Sequence, residues 1–203
     1  FAAESHVDRS IHSVGKFIET NVKGTGCILD AIVHSQNSGR RVNLVHVSTD
    51  EVYGSLGPQD EPFTEKTPLD PKNPYAASKA SSDLLVLSYV NTHSISACIT
   101  RCSNNYGPNQ FPEKLIPLMT LNCLQGKKLP IYGDGMQIRD WINVRDHVDG
   151  IISIVELMSE GGLDSGEIIN FGANNERTNL EIVEKIIEIS DAGGSEIEYV
   201  RDR

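Results

Sequence analysis

Apolar positions along the chain switch repeatedly between a helical and a strand-like spacing, and the switches predict helices and strands in alternation. Residues 14–36 carry Phe17, Ile18, Val22, Ile28, Leu29 and Ile32 at three-to-four spacing, the stripe of a helix. Residues 42–48 (VNLVHVS) read as a buried strand, and 55–73, rich in Pro, Asp, Glu, Gly and Lys, as a surface loop. Pro74 opens a helix near Tyr75, since proline is tolerated in a first turn. That helix is expected to reach about Val90, with Leu84, Leu85 and Leu87 toward the core. A strand follows at 95–101 (ISACITR), then a turn-rich loop at 103–112. The remainder predicts helices over 114–124, 146–159 and 178–191, with extended segments at 129–132, 139–143, 168–172 and 197–200.

Such alternation favours an α/β fold with a mainly parallel sheet. Open sheets of this kind bind ligands at the carboxyl ends of their strands. Thr49-Asp50-Glu51 follows one predicted strand and residues 102–106 follow another, so both loops are expected on one rim.

Composition narrows the picture. The net charge of −10 on 203 residues argues against a nucleic-acid or anionic-membrane surface, which needs a basic face, while leaving room for a small anion held by a few local Arg or Lys. Its apolar runs are too short to span a bilayer. Cys27, Cys98, Cys102 and Cys123 form no Cys-x-x-Cys and accompany no histidine cluster, so metal binding is not expected. Buried free thiols in a cytoplasmic protein are the expectation. His6, His46 and His147 are expected to be structural, and Trp141 a packing residue.

Tyr75 and Lys79 stand four apart and share a helix face. A free tyrosine, with a pKa of about 10, is a poor base near neutrality. A nearby ammonium favours phenolate, which can then take a proton from a substrate hydroxyl. Alone, the pair fits any amphipathic helix; its place after Asp50-Glu51 gives it weight. Two adjacent carboxylates in a dry cleft are expected to titrate apart, one as acid and one as base. A solvated acidic turn is the plainer alternative. Thr49 is placed to hydrogen-bond a reacting hydroxyl.

The stretches FAAESHVDRS (1–10), FIETNVKGT (17–25), STDEVYG (48–54), NPYAASKASSD (73–83), RCSNNYGPNQFPEKLIPL (101–118), LPIYGDG (129–135) and QIRDW (137–141) together resemble the nucleotide-sugar 4,6-dehydratases of the extended short-chain dehydrogenase/reductase family. The match lies closer to members acting on dTDP-sugars than to those acting on UDP-sugars. The resemblance implies a Rossmann-like doubly wound parallel sheet, incomplete here, and a smaller C-terminal substrate lobe. The implied division is 1–107, the later part of an NAD-binding domain, and 108–203, mainly the sugar-nucleotide lobe with some returning Rossmann elements.

By the same resemblance Tyr75 oxidises the sugar at C4 with Lys79 tuning it, Glu51 removes the C5 proton, and Asp50 protonates the departing C6 hydroxyl. NAD is the implied cofactor, held by Ala2, Ala3, Glu4, Ser5, Thr20, Tyr75, Lys79 and Asn105. The nucleotide-sugar falls to Ser5, Thr49, Asn104, Lys114, Leu115, Pro130, Ile131, Tyr132, Arg139, Asn175 and Arg203, with Arg139 suited to phosphate. The helix at 14–36 and the one starting at Tyr75 are implied to pair with their copies in a homodimer. Family members place a glycine-rich turn ahead of this segment, and no Gly-x-x-Gly-x-x-Gly occurs here. The chain is therefore read as an internal fragment, expected to bind NAD poorly and to be inactive as given. A UDP-sugar epimerase or decarboxylase, a UDP-glucose dehydratase, and an inactive binding scaffold are the alternatives; Asp50-Glu51 argues for dehydration.

Overall fold

A computed structural model describes residues 1–57, 59–190 and 195–201. The chain forms two compact units, one of residues 1–102 with 148–171 and one of 103–147 with the rest.

The first unit is a parallel sheet with helices on both faces. Strand β1 (Asn43–Thr49) pairs with β2 (Ser96–Cys102), which pairs with β6 (Ile168–Phe171), giving the order β1-β2-β6. Central β2 shows why the sheet is covered twice: its side chains alternate faces. Ala97 and Ile99 enter a core with Leu29, Ile32 and Val86 of α3 (Gly24–Asn37) and α4 (Pro74–His93). Cys98 faces the other way, onto Ile154 and Met158 of α6 (Val144–Glu160). The consecutive apolar Ala97, Cys98 and Ile99 of β2 are buried on both faces, as in doubly wound sheets.

Ahead of the sheet lie α1 (Val7–His12), α2 (Gly15–Phe17) and a π-helical segment, Ile18–Lys23, that runs directly into α3. The helix expected over 14–36 is thus present, with a wide turn in its first third that periodicity does not reveal. Helix α4 buries mostly small and polar residues, Ala76, Ser78, Ala80 and Ser82, and packs against the π-segment, α3 and β1. Leu84, expected in the core, is 56% exposed, while Leu85 and Leu87 are packed as expected. The small residues set the buried face of α4 and rotate Leu84 away from it. Cys27 also departs from expectation, being exposed; burial raises the Cys98 thiol to about 11, as an inert core cysteine.

In the second unit β3 (Asn104–Tyr106) pairs parallel with β5 (Ile138–Asn143), which pairs antiparallel with β7 (Glu176–Thr178). Neither three-residue strand was expected: β3 falls inside the predicted 103–112 loop, and such short pieces carry no period of their own. Strand β4 (Leu129–Tyr132) pairs parallel with β8 (Ile197–Val200). Over them α5 (Leu115–Leu124) and α7 (Asn179–Ser190) bury Met119, Cys123 and Val183 with Leu129 and Ile131. Trp141 is buried, as expected of a packing residue. Among the described residues no helix is long and apolar enough to cross a membrane.

Candidate active site

The carboxyl end of β1 runs into a single 3₁₀ turn, Asp50–Tyr53, which carries the two carboxylates. Thr49 caps this turn: its hydroxyl accepts from the Glu51 N–H at 3.3 Å and lies 3.3 Å from Asp50 Oδ1. Gly54 ends the turn at φ +102, where a Cβ would meet the Asp70 carbonyl oxygen at 2.6 Å. Only glycine fits, because the backbone is left-handed and the strap at Asp70 hydrogen-bonds back to Val52. The acidic pair is therefore held in a short, braced turn.

Helix α4 brings Tyr75 to the same place. Its first N–H groups are satisfied from two sides. Asn73 Oδ1 accepts from Ala76 N–H at 2.8 Å, and Ser10 Oγ of α1 accepts from Tyr75 N–H at 3.1 Å. Asn21 of the π-segment donates to Ser78 at 2.9 Å and exchanges two hydrogen bonds with the backbone of Glu4. The phenol lies near Thr49 and feels the charge of Glu51. Thr49, Asp50, Glu51 and Tyr75 thus converge at one rim of one unit.

Burial raises the Tyr75 pKa far above its ordinary 10.0, and Glu51 raises it further. Cys102 and Asp50 act in the same direction, and Thr49 opposes them. The expectation that Lys79 lowers this value is corrected. The Lys79 ammonium, buried, donates to the Val47 carbonyl at 2.7 Å, and burial lowers its own pKa against the pull of Asp83 and Cys102. The lysine is committed to the strand, so carboxylates and desolvation set the phenol.

Behind the rim lies a buried charge cluster. Asp83 accepts from Arg101 Nε at 3.0 Å, and His46 Nε2 stands 3.3 Å from its other oxygen, out of line for a hydrogen bond. Arg101 also lies over the Tyr53 ring, 4.7 Å from its centroid. Burial lowers the His46 pKa and keeps the ring neutral. His147 is likewise lowered by burial and stands with Nδ1 2.8 Å from Asn105 Oδ1. His6 accepts from Arg9 N–H at the start of α1.

The other candidates are placed as follows. Ala2, Ala3 and Ser5 are exposed beside half-buried Glu4, and Thr20 is exposed on the π-segment. In the second unit Asn104 and Asn105 lie half-buried on β3, and Lys114 precedes α5. Leu115 and Ile131 point into the core, half-buried Pro130 lies between Leu129 and Ile131, and Tyr132 is 43% exposed. Arg139 is exposed, with Arg177 as its cross-strand partner. Asn175 N–H is held by Asp140 at 2.8 Å, and Ala173 N–H by the same carboxylate at 2.7 Å. Arg203 lies outside the described residues. Asn73, Ser10, Asn21 and Asp140 were missed by sequence reasoning. Only Asn73 carried a signal, as a capping residue before Pro74.

Parallel strands wound on both faces, with a Tyr-x-x-x-Lys helix and an acidic turn on the carboxyl rim, define a Rossmann-like α/β protein with a rim site. Residues 1–202 match the family described as GDP-mannose 4,6 dehydratase, and the chain belongs to that family. A dTDP-glucose 4,6-dehydratase of Neisseria meningitidis serogroup B is 52% identical over 192 residues, which cover 91% of this chain and 52% of the relative. One from an Actinoplanes species is 48% identical over 203 residues, all of this chain and 60% of the relative. The crystal structure of DesIV, a dTDP-glucose 4,6-dehydratase of Streptomyces venezuelae with NAD bound, superposes with a TM-score of 0.90 at 48% identity, over all of this chain and 60% of that one. The chain thus spans roughly half to three fifths of the length of these relatives.

Proposed function

We propose that the full-length protein containing this chain dehydrates dTDP-glucose to dTDP-4-keto-6-deoxyglucose, with NAD as its cofactor. The convergence of Thr49, Asp50, Glu51 and Tyr75 at the end of β1 is the observation that carries this reading. A base, an acid and a hydroxyl-directed phenol in one place suit loss of water from a sugar better than simple oxidation.

The residues fit a dinucleotide at this rim. Ser48 Oγ is buried at the end of β1 and has no hydrogen-bond partner among the described residues, an orphan that a ligand hydroxyl would satisfy. Tyr75 and Lys79 would hold NAD here, with Ala2, Ala3, Glu4, Ser5 and Thr20 on the preceding segment and Asn105 in the second unit. Bound NAD would take up two electrons from the sugar and return them, leaving no net oxidation.

Thr49 and Tyr75 would bind the C4 hydroxyl, Tyr75 accepting its proton as the carbonyl forms. Glu51 would remove the C5 proton, now acidic beside the ketone, and Asp50 would give a proton to the C6 oxygen as water leaves. Ser5 would also touch the sugar. In the second unit Asn104, Lys114, Leu115, Pro130, Ile131, Tyr132 and Asn175 would meet the nucleotide, with Arg139 on phosphate. Arg203 completes the proposed set.

A homodimer in the cytoplasm is part of this reading. Val14, Ile18, Ile28 and Leu84 keep apolar side chains exposed on the helices proposed to pair, and no disulfide joins the cysteines of the described residues. The test is product mass: full-length protein with NAD and dTDP-glucose should release one water with no net NADH. An unchanged mass with altered stereochemistry would make it an epimerase and overturn the reading.

A further inference from the structure

We propose that Asn73 is a positioning residue that holds Glu51 and ties it to the helix bearing Tyr75. This rests on the reading of Glu51 as the C5 base. The Asn73 side chain makes two hydrogen bonds of opposite sense. Its Oδ1 accepts from the Ala76 N–H at 2.8 Å, and its Nδ2 donates to Glu51 Oε2 at 2.9 Å.

The first bond fixes the second. A backbone N–H can only donate, so the amide end facing Ala76 must be the oxygen, and the end facing Glu51 must be the NH₂. The backbone is also constrained, because Asn73 precedes Pro74 and sits in extended conformation at φ −140 and ψ 162. A rigid amide on a fixed backbone therefore engages one carboxylate oxygen and leaves Oε1 as the oxygen directed to a proton. Because Asn73 caps the helix two residues before Tyr75, base and phenol share one rigid link.

Helix capping alone does not account for asparagine here. Serine and aspartate cap as well, but serine has no amide to offer Glu51 and aspartate would set a carboxylate against it. This separates the structural role from the positioning role. In the full-length enzyme with dTDP-glucose, Asn73→Ser and Asn73→Asp should keep the urea midpoint near wild type, since the cap survives. Their kcat should fall roughly ten- to a hundredfold, the scale of a lost hydrogen bond to a charged group, with KM little changed. The acidic limb of the kcat profile should move to higher pH, further for Asn73→Asp. Uptake of solvent deuterium at C5 of the product should slow in step.

Glu51→Gln separates the two failures. If it leaves C5 exchange and turnover intact, Glu51 is not the base and both readings fall. If Glu51→Gln abolishes exchange while Asn73→Ser and Asn73→Asp keep wild-type kcat and pH profile, the positioning role of Asn73 is overturned and the base assignment stands.

Discussion

The Lys79 ammonium lies 2.7 Å from the carbonyl oxygen of Val47, so a charged side chain of α4 is hydrogen-bonded to the backbone of β1 two residues before Thr49. This contact seats the helix on the strand and orients the face that carries Tyr75. Lys79→Met should fill the same buried space yet leave the Val47 carbonyl without this donor. We expect a stability loss of about 1–3 kcal/mol in urea unfolding, with turnover falling through weaker NAD binding, since Lys79 is also proposed to hold NAD. Retained turnover would show that the lysine only anchors the helix.

Asp50 is proposed as the acid that protonates the leaving oxygen. Asp50→Asn removes the proton but keeps the shape and the reach of Thr49. Turnover to the 4-keto-6-deoxy product should fall roughly a hundred- to ten-thousandfold, while C4 oxidation in a single turnover, read as transient NADH absorbance, persists. Dehydration at the normal rate would remove Asp50 from the mechanism.

The Asp83–Arg101 pair is buried on both sides, at 0% and 2% side-chain exposure. Asp83→Asn would leave the Arg101 guanidinium buried without its counter-charge. The expected loss is about 3–5 kcal/mol in urea unfolding, whereas an apolar replacement of both partners should cost much less.

His46 is held neutral by burial, with its pKa below the ordinary 6.5. The unfolded chain therefore binds a proton at higher pH than the folded one. Stability is fully present above about pH 6.5 and declines as pH falls toward the lower folded value. His147 adds the same sign. Thermal melts from pH 8 down to 5 should show this decline, and His147→Gln should flatten part of it.

Gly54→Ala should cost about 1–3 kcal/mol, because the added methyl meets the Asp70 carbonyl and φ +102 is unfavourable for alanine. The strain falls on the turn bearing Asp50 and Glu51, so activity should drop further than the melting temperature alone accounts for. Activity assays at a temperature where the variant is fully folded would measure the difference.

Most of the long elements were legible because burial writes a period into the sequence. The stripe from Phe17 to Ile32, the apolar run at β2 and the Pro74 helix start all carried such a signal. β3 and β7 did not, since three residues form a strand only when β5 is there to pair with them. Leu84 misled because helix period marks a spacing and not a direction, and the small residues of α4 decide which side faces inward. The places of the carboxylates, Tyr75 and Lys79, at the end of β1 and on α4, were legible from their spacing and from the strand before them. The Asn73 hold on Glu51 was not, as the two are 22 residues apart with a loop between.

The amino-acid sequence by itself determined the order of helices and strands, the parallel α/β class, and the placing of Thr49, Asp50 and Glu51 at a strand's carboxyl end. These are local matters, governed by periodicity, capping and chain direction. Only the tertiary structure decided that Lys79 serves Val47, that Tyr75 is raised and not lowered, and that Asn73 grips Glu51. Desolvation and hydrogen bonding depend on distances between residues far apart in the chain, and those distances exist only once the helices have packed on the sheet.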